Sequence, residues 1–536
     1  MTLRSFHFVG KSPKFFTYPF SAPIHLNPMK IHSLISCLAL FSLLFFTGCP
    51  PTPKQELPSP VVVEPDSSTS LETLADNLDT RQGTLLITDT LPAETPVVEP
   101  VPVARVPAAF VPAVAPEPPP VAPAPSAPPQ ETPEEKVVRE RAAELGGSIR
   151  KNAEGRIDRV IIANNDLTLE DVQAIGKLTS LEWIRIVAPS ITDEYVEALN
   201  DLPNLKIVDI ANSTITDKSL EMLKTRTGIH TLELQRNLQL SDNAVKLFSE
   251  FPNLQTLKIL YNGFSSASLY NLDALKTVQV LDLRGLPVGD DTLMFLADLE
   301  NLEEVRFRSI SITNAGIAEL AKCEKLKTIE LQDTSVGAGS ADSFKKMKSL
   351  RSLRIFRGSE FGADAVAELG VLTDLETLEL RGVGCSNEAL LALKPLTQLK
   401  TVEFSELPGV DSATVIDVLK SYPKLESIHI FAIPVNDSVA SFLATVSTLK
   451  SVSLPATAIT DAGLDALSVL SDLTLLDIHG NKERLTLSGA TSALGKFKNL
   501  RRLIMPETLS DPALKSEILK NSPRCNFTVK TYSQET

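Results

Sequence analysis

The sequence predicts an α/β solenoid with a parallel β-sheet on one face and helices on the other. An apolar pattern of the form L-x-x-L-x-L recurs about every 24 residues from Ile157 to the C-terminus. An Ile-Thr-Asp turn follows several copies, as at Ile459. A fixed period of this size builds one strand-and-helix unit per repeat instead of several separate cores.

The N-terminal residues indicate export. Lys30 precedes an apolar run from Leu34 to Phe46, which is shorter than the roughly 20 residues that span a bilayer and fits the core of a signal peptide. Because signal peptides are usually about 15–30 residues long, the sequence suggests translation from Met29. Residues 1–28 would then be an upstream extension and residues 29–48 the signal peptide.

The residues after the apolar run, Phe46-Thr-Gly-Cys49, resemble the lipobox of bacterial lipoprotein precursors. That resemblance implies that Cys49 is diacylated, becomes the mature N-terminus and holds the chain at a membrane of the cell envelope. Gly48 and Cys49 match the lipobox, whereas Phe46 and Thr47 replace the residues usual in the family. The alternative is ordinary cleavage and secretion, with Cys49 unmodified.

A spacer is predicted for residues 49–131, which are rich in proline, alanine, valine and acids, as in Pro112 to Pro129. Proline removes backbone donors and fixes φ, so this stretch predicts a disordered segment of polyproline-II character. Such a spacer would hold the repeats away from a membrane. A set of Pro-rich partner motifs is the alternative.

An N-terminal cap is predicted for residues 132–156. Thr132-Pro-Glu-Glu135 has the pattern of a capping box with proline at the first helical position, and Gly146-Gly147 ends the helix. Asn152 to Gly155 has the composition of a hairpin turn. A cap covers the first apolar layer of a solenoid, which would otherwise face water.

About fifteen repeats are predicted over residues 157–524, with a terminal half-repeat and tail over residues 525–536. Their first apolar positions are Ile157, Leu181, Leu205, Ile229, Leu254, Val278, Leu302, Leu326, Leu350, Leu375, Leu399, Leu425, Leu449, Leu473 and Leu500. The Thr, Asp or Asn of each turn would accept bonds from the first N–H groups of the following helix. The pattern resembles the helix-bearing class of the leucine-rich-repeat superfamily, found in bacterial envelope proteins and F-box substrate adaptors. That resemblance implies an arc or horseshoe with the sheet on its concave face and the helices on its convex face.

Composition and motifs favour binding over catalysis. The net charge of −14 disfavours a nucleic-acid partner, because nucleic-acid binders usually carry a basic face. No phosphate-binding loop, nucleophile elbow, zinc-protease motif or paired C-x-x-C pattern occurs in the sequence. We therefore predict no enzyme activity, no cofactor and no metal. Cys323, Cys385 and Cys525 fall at apolar repeat positions and are predicted to be buried, reduced and structural.

A candidate ligand-binding surface lies on the concave face, where the outward strand positions carry mixed charges. Repeats five to ten gather a basic and aromatic set: Tyr261, Arg284, Arg306, Arg308, Arg354, Phe356, Arg357 and Arg381. Arginine and aromatic side chains are preferred interface anchors. The sequence thus favours an envelope-anchored, non-enzymatic protein that recognises a protein partner, or an anionic glycan, through this face.

Two alternatives to that interpretation stay open. The outward charges are also consistent with a self-neutralising ladder that only keeps the face soluble. The protein would then be a structural envelope component that associates with copies of itself or with an envelope polymer.

Overall fold

The computed structural model describes residues 131–530. Its strands are β1 (Ser148–Lys151), β2 (Ile157–Ala163), β3 (Trp183–Val187), β4 (Ile207–Ala211), β5 (Thr231–Gln235), β6 (Thr256–Leu260), β7 (Val280–Asp282), β8 (Glu304–Arg308), β9 (Thr328–Gln332), β10 (Ser352–Phe356), β11 (Thr377–Arg381), β12 (Thr401–Ser405), β13 (Ser427–Phe431), β14 (Ser451–Ser453), β15 (Leu475–Asp477), β16 (Arg502–Met505) and β17 (Asn526–Val529).

The α-helices alternate with these strands. They are α1 (Pro133–Glu144), α2 (Leu169–Ile175), α3 (Asp193–Glu197), α4 (Asp217–Leu223), α5 (Asp242–Leu247), α6 (Asp290–Leu296), α7 (Asn314–Leu320), α8 (Ala341–Lys346), α9 (Ala363–Glu368), α10 (Asn387–Leu391), α11 (Ser412–Leu419), α12 (Asp437–Leu443), α13 (Asp461–Leu467), α14 (Leu487–Leu494) and α15 (Pro512–Asn521). Short 3₁₀ segments are Phe248–Glu250, Ser268–Ala274, Leu369–Val371 and Glu507–Leu509.

The strands form one open sheet in chain order. β1 pairs antiparallel with β2, and each later strand then pairs parallel and in register with the next, up to β17. One strand and the helical segment that follows it make one repeat. The fold is therefore a leucine-rich-repeat solenoid, with the parallel sheet on the concave face and the helices on the convex face.

The core runs continuously between sheet and helices. All fifteen predicted first positions are buried, none more than 4% exposed, which confirms the repeat register. Cys323, Cys385 and Cys525 are buried free thiols, as predicted. Burial raises the pKa of each thiol to about 11, so all three stay protonated at neutral pH.

The predicted cap elements form at the N-terminal end of the sheet. In the capping box of α1, the Glu135 N–H donates to Thr132 Oγ1 (3.2 Å) and the Thr132 N–H donates to Glu135 Oε2 (3.0 Å). Glu135 Oε1 also accepts from the Ile157 N–H (3.0 Å), which fastens α1 to the first repeat strand. Gly146 ends the helix with φ 69°, a value that glycine adopts without strain.

The Thr-Asp turns differ in part from the expectation. Thr460 Oγ1 accepts from the Ala462 N–H of its own helix (3.3 Å), as predicted. The aspartate instead bonds to the next repeat: Asp437 accepts from the Thr460 N–H (2.7 Å) and from Thr460 Oγ1–H (2.7 Å). Six aspartates bond in this way, and we call them with their partners the cap ladder: Asp193–Thr216, Asp217–Ser241, Asp242–Ser265, Asp290–Thr313, Asp437–Thr460 and Asp461–Thr486.

Two irregular repeats leave the sheet intact. Repeat five lacks a Thr-Asp turn and forms the 3₁₀ segment Ser268–Ala274 where an α-helix was expected. The extra residues of repeat fourteen, around Lys482, lie in the loop between β15 and α14. Strands β15 and β16 still pair in register across that repeat. Sequence variation is thus absorbed outside the strand layer.

Candidate binding surface

The middle outward position of each strand forms one row across the concave face, which we call the concave row. From β3 to β15 its members are Arg185, Asp209, Glu233, Lys258, Asp282, Arg306, Glu330, Arg354, Glu379, Glu403, His429, Ser453 and Asp477. Parallel strands lie about 4.8 Å apart, so neighbouring side chains reach one another. Lys258 Nζ lies 2.8 Å from Glu233 Oε1, and Arg354 Nε lies 3.0 Å from Glu379 Oε1.

Arg284 and Arg306 share one glutamate inside this face. Arg284 Nη2 lies 2.7 Å from Asp282 Oδ2, and its Nη1 lies 3.2 Å from Glu330 Oε1. Arg306 contacts Glu304 at 2.6 Å and Glu330 at 3.8 Å. Burial raises the pKa of Glu330, and the two guanidinium groups oppose that shift. Both arginines are therefore held by acids of the same face.

A second group lies at the edge where the strands end, and we call Tyr261, Arg308, Asp333 and Arg357 the edge cluster. Asp333 accepts from Arg308 Nε (2.6 Å) and from Arg357 Nε (2.8 Å). Partial burial acts to raise the pKa of Asp333, but these bonds outweigh it and the pKa is lowered. Asp333 is thus a fixed anion that orients both arginines.

The position of Tyr261 depends on a glycine in the next repeat. Its hydroxyl accepts from Arg308 Nη1 at 3.1 Å, two strands away. The ring lies over Gly285, where an added Cβ would come within 2.1 Å of Tyr261 Cδ1. Tyr261 itself has φ 53°, a left-handed conformation that costs a non-glycine residue about 1 kcal/mol or more. Gly285 therefore leaves the space that lets Tyr261 join the edge cluster.

The remaining predicted residues lie on the same face but make separate contacts. Arg381 Nη2 lies 2.7 Å from Glu406 Oε1, and its guanidinium lies 5.6 Å from the centre of the Phe431 ring. Phe356 is half-buried at the end of β10. All eight predicted residues thus lie on the concave face or its edge, and each of the six arginines lies within ion-pair distance of a carboxylate. Their role in binding stays a prediction.

Exposed apolar side chains flank the edge cluster. Leu238 follows β5 and is 66% exposed, and Ile310 follows β8 and is 74% exposed. Because all the parallel strands end at the same edge of the sheet, both lie on the side that carries Tyr261 and Arg308. Neither residue occupies a recurrent apolar position, so the repeat pattern does not distinguish them from ordinary loop residues.

A polar line near the C-terminal end was not predicted. His429 Nδ1 lies 2.7 Å from Ser453 Oγ, Ser453 Oγ donates to Asp477 Oδ2 (3.1 Å), and Asp477 Oδ1 lies 2.6 Å from His479 Nδ1. Burial lowers the pKa of His429 to about 4, so it is neutral at pH 7. The 24-residue spacing of His429, Ser453 and Asp477 is the signal that could have found them.

The polar line differs from a nucleophilic triad in the order of its groups. In such a triad the histidine lies between serine and the acid, whereas here the Ser453 hydroxyl lies between His429 and Asp477. Within residues 131–530, no three His, Cys, Asp or Glu side chains are grouped to hold a metal. No helix in that range is long and apolar enough to cross a bilayer.

No family model and no curated protein matches the chain. Solved structures of similar fold include an internalin from Listeria monocytogenes, 18% identical over 65% of this chain and 96% of its own, with TM-score 0.38. A leucine-rich-repeat protein from Leptospira interrogans is 16% identical over 62% of this chain and 91% of its own, with TM-score 0.31. A plant peptide hormone receptor is 14% identical over 72% of each chain, with TM-score 0.31. These values are low, so the fold assignment rests on the strand register and the buried repeat positions.

Proposed function

We propose that the protein recognises another protein through the concave face, with the edge cluster as its anchor. The observation that supports this most directly is the fixed Arg308–Asp333–Arg357 network, with Tyr261 bonded to it and exposed Leu238 and Ile310 beside it. Arginine and tyrosine predominate among residues that carry binding energy. Exposed apolar groups rimmed by polar ones are typical of protein interfaces.

The charge balance of the face favours a protein over an anionic glycan. Each of the six arginines in the predicted set lies near a carboxylate that offsets its charge. An anionic polymer is attracted by uncompensated positive charge. A protein partner can instead bury Leu238 and Ile310 and bond to the side chains of the edge cluster. The protein is proposed to be non-enzymatic, which agrees with the order of groups in the polar line.

The test is affinity capture from an envelope extract with the full chain. The variant Arg308→Ala/Arg357→Ala removes both arginines of the edge cluster, and Arg501→Ala/Arg524→Ala makes the same change in charge at two exposed positions elsewhere. We expect the native chain and the control to capture the same partner, and the edge-cluster variant to lose it while keeping its thermal midpoint. Capture of one identical set by all three chains would contradict the proposal. Light scattering of the chain alone would detect self-association, the structural alternative.

We also propose that the protein is exported and held at the envelope by a lipid on Cys49. Cys49, the signal peptide and the Pro-rich spacer lie outside the described residues, so the support comes from the lipobox-like sequence alone. Mass spectrometry of the mature N-terminus should find a diacylated Cys49. Cys49→Ala should release the chain from membranes. Cleavage at another residue, or an unmodified Cys49, would contradict lipid anchoring.

A further inference from the structure

The concave row changes character after β10. From β3 to β10 it carries four cations and four acids: Arg185, Lys258, Arg306 and Arg354 with Asp209, Glu233, Asp282 and Glu330. From β11 to β15 it carries Glu379, Glu403, His429, Ser453 and Asp477, which we call the C-terminal row. His429 is neutral at pH 7, so the C-terminal row contains no cation.

Glu403 is the least compensated acid of the C-terminal row. The register places it opposite Glu379 on β11 and His429 on β13. Its carboxylate accepts from Ser405 Oγ (2.8 Å), and it has no ion-pair partner among residues 131–530. Like charges directly opposite each other on neighbouring strands are destabilising. Glu379 and Glu403 therefore form an unfavourable pair in the unbound protein.

The nearest cations are already engaged elsewhere. Arg354 is held by Glu379 at 3.0 Å, and Arg381 by Glu406 at 2.7 Å. Burial raises the pKa of both Glu379 and Glu403, against the opposing effect of these arginines. Each carboxylate is thus ionised at a cost that one further positive charge would relieve.

An aromatic ring borders the same place. Phe431 lies half-buried at the end of β13. Its ring stacks against His429 with centroids 6.4 Å apart. The long aliphatic stems of lysine and arginine pack on apolar surface while their charged ends reach a carboxylate. A ring beside two acids therefore offers both contacts that one basic side chain makes.

We propose that the C-terminal row docks a basic segment of a protein partner, with one lysine or arginine side chain seated between Glu379 and Glu403 and against Phe431. Charge complementarity selects this occupant, because only a cation offsets the facing carboxylates. The surface is separate from the edge cluster, so it goes beyond the proposed function and is tested independently of it.

The test measures binding of a fluorescent peptide of six Lys-Ser repeats to the full chain by anisotropy, at about 0.15 M salt to screen long-range attraction. Glu379→Gln/Glu403→Gln removes the facing acids. Glu300→Gln/Glu324→Gln makes the same change in net charge at two exposed positions outside the concave face. We expect the first variant to weaken binding by about tenfold or more and the second by less than about twofold.

Two further chains keep the result decisive. Phe431→Ala should also weaken peptide binding, whereas Arg308→Ala/Arg357→Ala should leave it unchanged, which separates this surface from the edge cluster. Because Glu379→Gln/Glu403→Gln removes a repulsion, it should raise the thermal midpoint, so a loss of binding cannot be explained by unfolding. Equal weakening by both glutamine variants would reduce the effect to net charge and overturn the proposal. Absence of binding by the native chain would overturn it as well.

Discussion

Two polar ladders cross the same repeats and differ in regularity. In the cap ladder, each aspartate accepts both the N–H and the hydroxyl of the next threonine or serine, as between Asp437 and Thr460. In the concave row the sign of the charge changes irregularly, and a guanidinium reaches an acid one or two strands away, as Arg284 reaches Glu330. The first ladder repeats one geometry, whereas the second repeats only a position.

The difference indicates which ladder maintains the stacking of the repeats. An aspartate of the cap ladder has backbone donors as partners, and these do not vary with sequence. A side chain in the concave row has only other side chains as partners, so charges can be exchanged while the strands stay paired. Stability should therefore be sensitive to the cap ladder, and ligand selectivity to the concave row.

The largest effect is expected from Asp437→Ala. The change leaves the Thr460 N–H and hydroxyl without their acceptor, and hydrogen bonds to a charged group contribute about 1.5–3 kcal/mol. We expect the free energy of unfolding to fall by about 2 kcal/mol, measured by urea denaturation. Asp437→Asn keeps an acceptor oxygen and should lose about half as much. A loss below about 0.5 kcal/mol would mean that the cap ladder does not stabilise the stack.

A somewhat smaller loss is expected from Gly463→Ala. A Cβ at this position would lie 2.3 Å from Asp437 Oδ1, so the clash should exceed the gain in helix propensity and cost about 1–2 kcal/mol. Gly263→Ala is the control, because the nearest atom to its Cβ is Leu238 O at 3.9 Å. In the double variant Asp437→Ala/Gly463→Ala the clash is absent, so the two losses should not add. Strict additivity would contradict the contact.

The strands and the core were predictable because they depend on periodic burial. Leu449 and Val452 are identified as buried by spacing alone, and both are fully buried. The partner of Asp437 was not predictable in the same way, since the choice between its own helix and the next repeat depends on how repeats stack. The Thr-Asp pair signals a helix start either way. The structure shows which oxygen serves which repeat.

The candidate surface was predictable as a set of positions but not as a set of contacts. The spacing places Arg284 and Arg308 on the face, yet Arg284 bonds to Asp282 on its own segment and to Glu330 two strands away. Pairing only between neighbouring strands, as the ladder interpretation assumes, misses that reach. Gly285 carries no charge and no apolar signal, so only the position of the Tyr261 ring reveals its role.

A gain in stability is expected from Glu403→Gln, which breaks the analogy between the two ladders in the opposite direction. Burial raises the folded-state pKa of Glu403, so its contribution to stability is full below its unfolded pKa and is lost as pH rises through the raised value. At pH 7 the variant should therefore unfold at a free energy higher by up to about 1 kcal/mol, because it removes the repulsion with Glu379. The gain should shrink as pH falls toward about 4. A loss at pH 7 would show that Glu403 is compensated in the folded chain.

The smallest effect is expected from Lys400→Ala, at an exposed cross-repeat ion pair outside both ladders. Lys400 Nζ lies 2.7 Å from Glu376 Oε2, but both side chains are more than 40% exposed. Exposed pairs of this kind contribute about 0–1 kcal/mol and are screened by salt. We expect a change below about 0.5 kcal/mol that disappears at about 1 M salt, measured by urea denaturation at both salt concentrations. A loss as large as that of Asp437→Ala would mean that any polar contact between repeats stabilises the stack, and the distinction between the ladders would fail.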